Sequence, residues 1–243
     1  MPKNPVTSRE SKGILGADIW IEHFRKVDLE RPVAVVGSPG LRSIGELVVN
    51  QLVEKTRAEL IAELYSTHLP IVYQTKPSYA SHYALPGIGG AKVKNGEIDL
   101  PKVQFYACSS QSLIIAKGYH ANFAGQYDVA DKVVDYLSAS GAERIIVAAG
   151  YGSKTRKICC AATNANLIQE MKEKFEVEVE YVGPFYGFSG LVFGLAKRKD
   201  IDALCLFAGT EPNPDDPEFP DPKSAELITD VLNRMLVFQK DYR

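Results

Sequence analysis

One recurring pattern limits this chain more than any other: a short β-branched run, a glycine turn, then apolar residues at helical spacing. Residues 32–36 read Pro-Val-Ala-Val-Val, Gly37-Ser38-Pro39-Gly40 follows, and Ile44, Leu47, Val48, Gln51 and Leu52 then share one helical face. A strand that feeds a helix through a tight turn must lay that helix back over its sheet, so the pattern predicts a layered α/β architecture. Residues 58–65, 103–108 and 113–116 read as further strands, and Asn95-Gly96 between two alternating runs predicts a hairpin over residues 92–98. Residues 127–139 carry Ala130, Val133, Val134 and Leu137 on one helical face, with Gly141 as the closing glycine. A strand over 144–149 leads into Gly150-Tyr151-Gly152, a helix is expected over 167–175, and strands over 177–182 and 203–207. This alternation predicts a single α/β domain on a mixed, mostly parallel sheet with helices on both faces.

Residues 211–220 hold four prolines and four acidic residues, Glu211, Asp215, Asp216 and Glu218. Proline removes amide donors and restricts its neighbours, so this stretch is expected to be a stiff surface loop. Two roles stay open for it, a docking surface for a basic partner or a solubilising connection. Asp221 then suits an N-cap and Pro222 a first helical position, with Ile228, Val231, Leu232, Met235 and Leu236 as the buried stripe. After Phe238 the apolar pattern stops. The chain therefore divides into an N-terminal segment (1–31), the α/β domain (32–238) and a projecting C-terminal tail (239–243).

Composition excludes several classes. Of 243 residues, 45% are hydrophobic and 24% charged, globular proportions that suit a buried core rather than disorder. The 28 basic and 30 acidic residues leave a formal charge of -2, which makes no whole-chain case for nucleic acid or an anionic membrane. Cys108, Cys159, Cys160 and Cys205 lack CxxC spacing, which favours a reduced chain. The first residues lack the apolar run of a signal peptide, and no segment reads as membrane-spanning, so a cytoplasmic location is expected.

The glycine turns are the candidate ligand sites, because backbone amides at a helix N-terminus attract anions. Gly37 and Gly40 fit neither specific phosphate template: Glu46 follows Gly45 where a Walker loop needs lysine, and Pro39 stands where a dinucleotide turn needs glycine. Gly150 and Gly152, followed by Lys154, Thr155, Arg156 and Lys157, could form an anion-binding nest or a solvated basic loop. Gly187-Phe188-Ser189-Gly190-Leu191 lacks the second glycine of a nucleophile elbow in the required place, and His23, His68, His82 and His120 all precede Ser189. Ser189 reads instead as a turn or helix-cap residue. No catalytic constellation, metal spacing or cofactor motif is expected.

Five segments, in order, carry a family resemblance. Residues 32–40, then Asn95-Gly96-Glu97-Ile98-Asp99-Leu100-Pro101, then 125–128 through Gly150-Tyr151, then 183–191, then Asp221-Pro222-Lys223-Ser224-Ala225, resemble the archaeal branch of the proteasome assembly chaperone family, with proteasome assembly chaperone 2-like proteins. The resemblance implies a phosphorylase/hydrolase-like α/β fold without demonstrated turnover, a homo-oligomeric state, and binding to proteasome α-subunits or the finished core particle. It further implies binding through a C-terminal hydrophobic-Tyr-any tripeptide inserted between adjacent α-subunits. Tyr242 and Arg243 match that tripeptide by position, and Asp241 stands where a hydrophobic residue is expected. The alternative from the implied fold and the two glycine turns is an enzyme acting on a nucleoside or nucleotide, a weaker warrant because fold alone does not fix chemistry.

Overall fold

Apolar runs bounded by turn residues become strands, and runs with apolar residues three and four apart become helices. The computed structural model describes residues 18–69, 92–180 and 183–241. In chain order these form β1 (Ile19–His23), β2 (Val33–Gly37), α1 (Ile44–Thr56), β3 (Glu59–Ser66), β4 (Lys92–Lys94), β5 (Glu97–Asp99), β6 (Val103–Cys108) and β7 (Leu113–Lys117). They continue with α2 (Gln126–Ala139), β8 (Arg144–Gly152), β9 (Ile158–Ala162), α3 (Ala165–Phe175), β10 (Glu178–Val179), α4 (Gly187–Arg198), β11 (Asp202–Thr210) and α5 (Pro222–Asp241).

Nine strands form one mixed sheet in the order β1-β3-β6-β7-β2-β8-β11-β9-β10, and β4 and β5 pair as the expected hairpin. Asn95 and Gly96 take the positive φ values, 53° and 84°, that such a turn requires. The sheet centre, β7-β2-β8-β11, is parallel, whereas β1, β3, β6 and β7 form an antiparallel wing and β9 runs antiparallel to β11. Every residue of β2 is buried, because helices cover both faces there. One core packs α2 and α4 residues such as Val133, Leu137, Phe188 and Val192 against Val36, Phe105 and Val147. The other packs Ile44, Leu52, Met171, Ile228 and Leu232 from α1, α3 and α5 against Val35, Ile115 and Leu206. The chain is thus a single α/β domain. Among the described residues no helix is long and apolar enough to cross a membrane.

Helix ends follow local chemistry. Asn164 caps α3 by accepting from the Leu167 amide at 3.1 Å. After α2, Gly141 at φ 80° and Ala142 donate to Ser138 and Leu137, closing the last turn with the expected glycine. Three elements depart from the sequence reading. Residues 19–23, ahead of Pro32, pair with β3 as an edge strand. Cys159 and Cys160 lie on β9 with their side chains in opposite cores, so this strand shows no simple apolar alternation. Finally, Ser189 sits inside the first turn of α4, whose apolar stripe of Phe188, Val192, Leu195 and Ala196 was obscured by three weak helix formers, Gly187, Gly190 and Gly194. Only Glu178 and Val179 form the strand expected over 177–182, and residues 181 and 182 lie outside the described residues.

A close backbone approach joins α1 to the parallel centre. A Cβ on Gly37 would stand 2.1 Å from the Gly45 carbonyl oxygen, and one on Gly45 would stand 2.6 Å from the Ala148 carbonyl oxygen. Neither side can yield, since both are backbone. Gly45→Ala is therefore expected to lower unfolding free energy by about 1–3 kcal/mol in urea titration. Gly194→Ala, where nothing lies within 4 Å, is the matched comparison and should be neutral or stabilising.

Candidate functional site

Parallel strands bring several chain segments together at their C-terminal ends. Gly37 ends β2 beside Ala148 of β8, and the turn through Gly40 leads from it into α1; Gly150 and Gly152 are strand residues at the end of β8, paired with β11, where the sequence suggested a glycine turn. A Cβ on Gly150 would meet the Leu41 carbonyl oxygen at 2.9 Å, and one on Gly152 would lie 3.5 Å from Pro212. All four candidate glycines therefore lie at one end of the sheet, where three of them let backbone or the proline loop approach closely.

The acidic proline loop crosses this end as a strap. Arg42 holds it from below: its amide donates to the Pro217 carbonyl at 2.6 Å, Nε to Phe219 at 2.6 Å and Nη1 to Glu211 at 2.6 Å. The Ser43 hydroxyl donates to the Glu218 carbonyl at 2.8 Å, and the Asp221 amide donates back to the Arg42 carbonyl at 3.0 Å. The guanidinium also lies 5.8 Å from the Phe219 ring centre. Arg42 and Ser43 occupy the left-handed region, at φ 54° and 51°, a conformation costing about 1–3 kcal/mol each in non-glycine residues. The strap contacts offset that strain, and they direct carbonyl oxygens at the start of α1.

From the opposite side, His120 is 2% exposed and places Nε2 2.9 Å from Glu218 Oε1. Its Nδ1 lies 3.1 Å from the Asn122 amide nitrogen and 3.0 Å from the Asn122 carbonyl oxygen, so both ring nitrogens are held. Ser38 and Ser189 hydroxyl oxygens meet at 3.0 Å beneath this contact, joining the first glycine turn to α4. In the basic loop, Lys157 lies 2.7 Å from Glu180 and Arg156 lies 3.5 Å from Asp221. Tyr151 donates to Glu180 at 3.0 Å; burial first, and that carboxylate second, push its phenol up.

Asp221 ends the strap and starts α5. Its carboxylate accepts from the Thr210 hydroxyl at 2.7 Å, the Ser224 hydroxyl at 2.9 Å and the Ser224 amide at 3.2 Å. Burial alone would raise its pKa, yet these donors and Arg156 hold it below the ordinary aspartate value. Helix α5 then packs on α1, with Thr229 donating to Gln51 at 2.6 Å. Met235 is buried, Leu236 packs against the same core, Val237 is 61% exposed, and the helix continues through Asp241. The helical backbone so runs three residues past Phe238, where the apolar pattern stops, because no breaker interrupts it. Tyr242 and Arg243 lie outside the described residues.

Sequence reasoning missed Arg42, Ser43 and His120 as the residues that hold the strap. Left-handed arginine and serine leave no compositional trace, and His120 could be linked to Glu218 only once the strap was placed.

A family model described as PAC2 family matches residues 34–243. The chain belongs to the PAC2 family. The fold is that of Pyrococcus furiosus PbaB, an archaeal proteasome activator, at TM-score 0.73 and 24% identity, over 90% of this chain and 89% of that one. It is also that of Pyrococcus furiosus PbaA, an archaeal homolog of proteasome-assembly chaperone, at TM-score 0.67 and 22% identity, over 90% and 85% of the two chains. A PAC2 family protein from Streptomyces avermitilis aligns at TM-score 0.61 and 14% identity over 84% and 86%. No curated protein matches the sequence.

Asp221→Ala removes an N-cap, and near neutral pH it should cost about 1–2 kcal/mol of unfolding free energy. The folded pKa is depressed, so this stabilisation is present above the unfolded aspartate pKa and is lost as pH falls through the lower folded value. Urea titrations of the two chains should therefore differ near neutral pH and converge in strong acid.

Proposed function

We propose that the chain is a non-enzymatic proteasome assembly chaperone or core-particle-binding factor, acting as a homo-oligomer in the cytoplasm. Proteasome α-subunits are its partner, met through Asp241, Tyr242 and Arg243. The observation that carries this reading is the PAC2 family match over residues 34–243, together with an α5 whose helical backbone continues through Asp241. A 20-residue helix is about 30 Å long, so its final turns can present the terminus away from the domain.

The chemistry suits a pocket between two subunits. A terminal carboxylate pairs with a lysine, and the penultimate tyrosine offers a rigid ring with a polar tip. Several tails on one oligomer would add avidity without new contacts. Asp241 works against the contact, since burying an unpaired carboxylate is costly and a negative charge at a helix C-terminus opposes the dipole.

Capture of the core particle from the same organism tests this directly. The intact chain should bind, a chain lacking Tyr242 and Arg243 should not, and Asp241→Leu should bind about tenfold more tightly, roughly 1.4 kcal/mol. Equal binding by intact and truncated chains would move the contact to the folded body. Thermal stability unchanged by nucleosides, nucleotides and phosphate is expected as well; a clear rise with one of them would favour the enzyme reading.

A further inference from the structure

The two ends of the nine-stranded sheet are finished differently. At one end β10 is two residues long, a short edge that offers little for another strand to pair with. At the other, β1 has five residues, with Ile19, Trp20 and Ile21 in succession, and among the described residues pairs only with β3. Trp20 stacks on Tyr65 at 5.8 Å, which holds this edge in place.

The backbone parity of β1 follows from its two flanking bonds. Thr67 donates to the Asp18 carbonyl at 2.9 Å and the Phe24 amide donates to Ile61 at 2.8 Å. In an antiparallel ladder alternate residues point their amide and carbonyl groups to opposite sides, so Trp20 and Glu22 address β3 while Ile19, Ile21 and His23 address the open edge. Beside that edge lies a cleft of about 470 Å³ between β1 and α2, lined by Ile19, Ile21, His23, Lys132 and Tyr136 among others.

We propose that β1 pairs antiparallel with β1 of a second copy of this chain across a two-fold axis through Ile21. This gives a surface to the homo-oligomer of the proposed function and rests on that part of it, not on proteasome binding. The occupant is a second copy because the strand is self-complementary in this register. Ile21 meets Ile21 of the second copy, Ile19 meets His23, Trp20 meets Glu22 and Asp18 meets Phe24, so no like charges stand opposite each other. The three outward residues pair completely, two hydrogen bonds in each of three pairs. Shifting the axis by one residue in either direction keeps only two of those three pairs within β1; through Trp20 it also sets Asp18 against Glu22, and through Glu22 it sets that carboxylate against its own copy. An isologous contact of this kind closes on itself, joins the two sheets into one and leaves only the short β10 edges at its ends among the described strands.

Light scattering on the full chain, with no proteasome present, tests the proposal separately from the tail. The intact chain should have at least the mass of a dimer, and Ile21→Pro should halve that mass while circular dichroism stays native, because the Ile21 amide makes no bond to β3. Should the proline variant fold poorly, Ile21→Cys keeps the test decisive. The two new thiols would face each other across the axis, and Cys108, Cys159, Cys160 and Cys205 are all buried, so mild oxidation should give a reducible dimer that Val237→Cys does not. A monomeric intact chain, a mass indifferent to Ile21→Pro in a folded protein, or no cross-link at Ile21→Cys would overturn it. A monomer with exchange-protected Ile19, Ile21 and His23 amides would assign the edge to the chain's own N-terminal residues instead.

Discussion

The near-contact of two backbones, Gly37 against Gly45 and Gly45 against Ala148, is the constraint on which the rest of this structure depends. It seats the start of α1 directly on the parallel strands β2 and β8, where any side chain would hold the helix away. Once α1 is that close, Arg42 and Ser43 must turn through left-handed conformations, and Arg42 is brought beneath the proline strap. The strap then ends at Asp221, whose buried carboxylate fixes the first turn of α5 to β11. One close approach thereby sets the origin and direction of the C-terminal helix, through interactions that are individually modest and jointly rigid.

Much of this was legible because it rests on local chemistry. The valine-rich β2, the Asn95-Gly96 hairpin, the glycine after α2 and the Asp221-Pro222 start of α5 each have a residue type that the backbone requires. The elements that escaped obey longer-range causes. Strand β1 exists because β3 offers an edge, and β9 because β11 offers one, neither of which is written in its own periodicity. The glycines of α4 weaken its helical signal, yet Gly190 is needed where a Cβ would stand 2.3 Å from the Phe185 carbonyl oxygen.

The same distinction runs through the site. Gly37, Gly40, Gly150 and Gly152 were visible in the sequence, and the structure gathers them at one end of the sheet, although Gly150 and Gly152 are strand residues of β8 rather than a turn. What surrounds them, the Arg42 clamp and the His120 contact with Glu218, joins residues 98 or more positions apart and could not be read from spacing. The proline loop was recognisable as stiff and exposed, but its carbonyl groups, not its carboxylates, hold Arg42 and Ser43 in the turn ahead of α1.

A helix that continues through Asp241 gives the proteasome reading its physical content: a tail carried on a helix loses less freedom on docking than one hung from a loose chain. The most direct test is cross-linking mass spectrometry on the chain mixed with core particle, using the Lys240 amine beside the terminus as the reporter. The account predicts cross-links from Lys240 to α-subunits, with few from the lysines of α3. Cross-links confined to the folded body, or none above a denatured control, would contradict it.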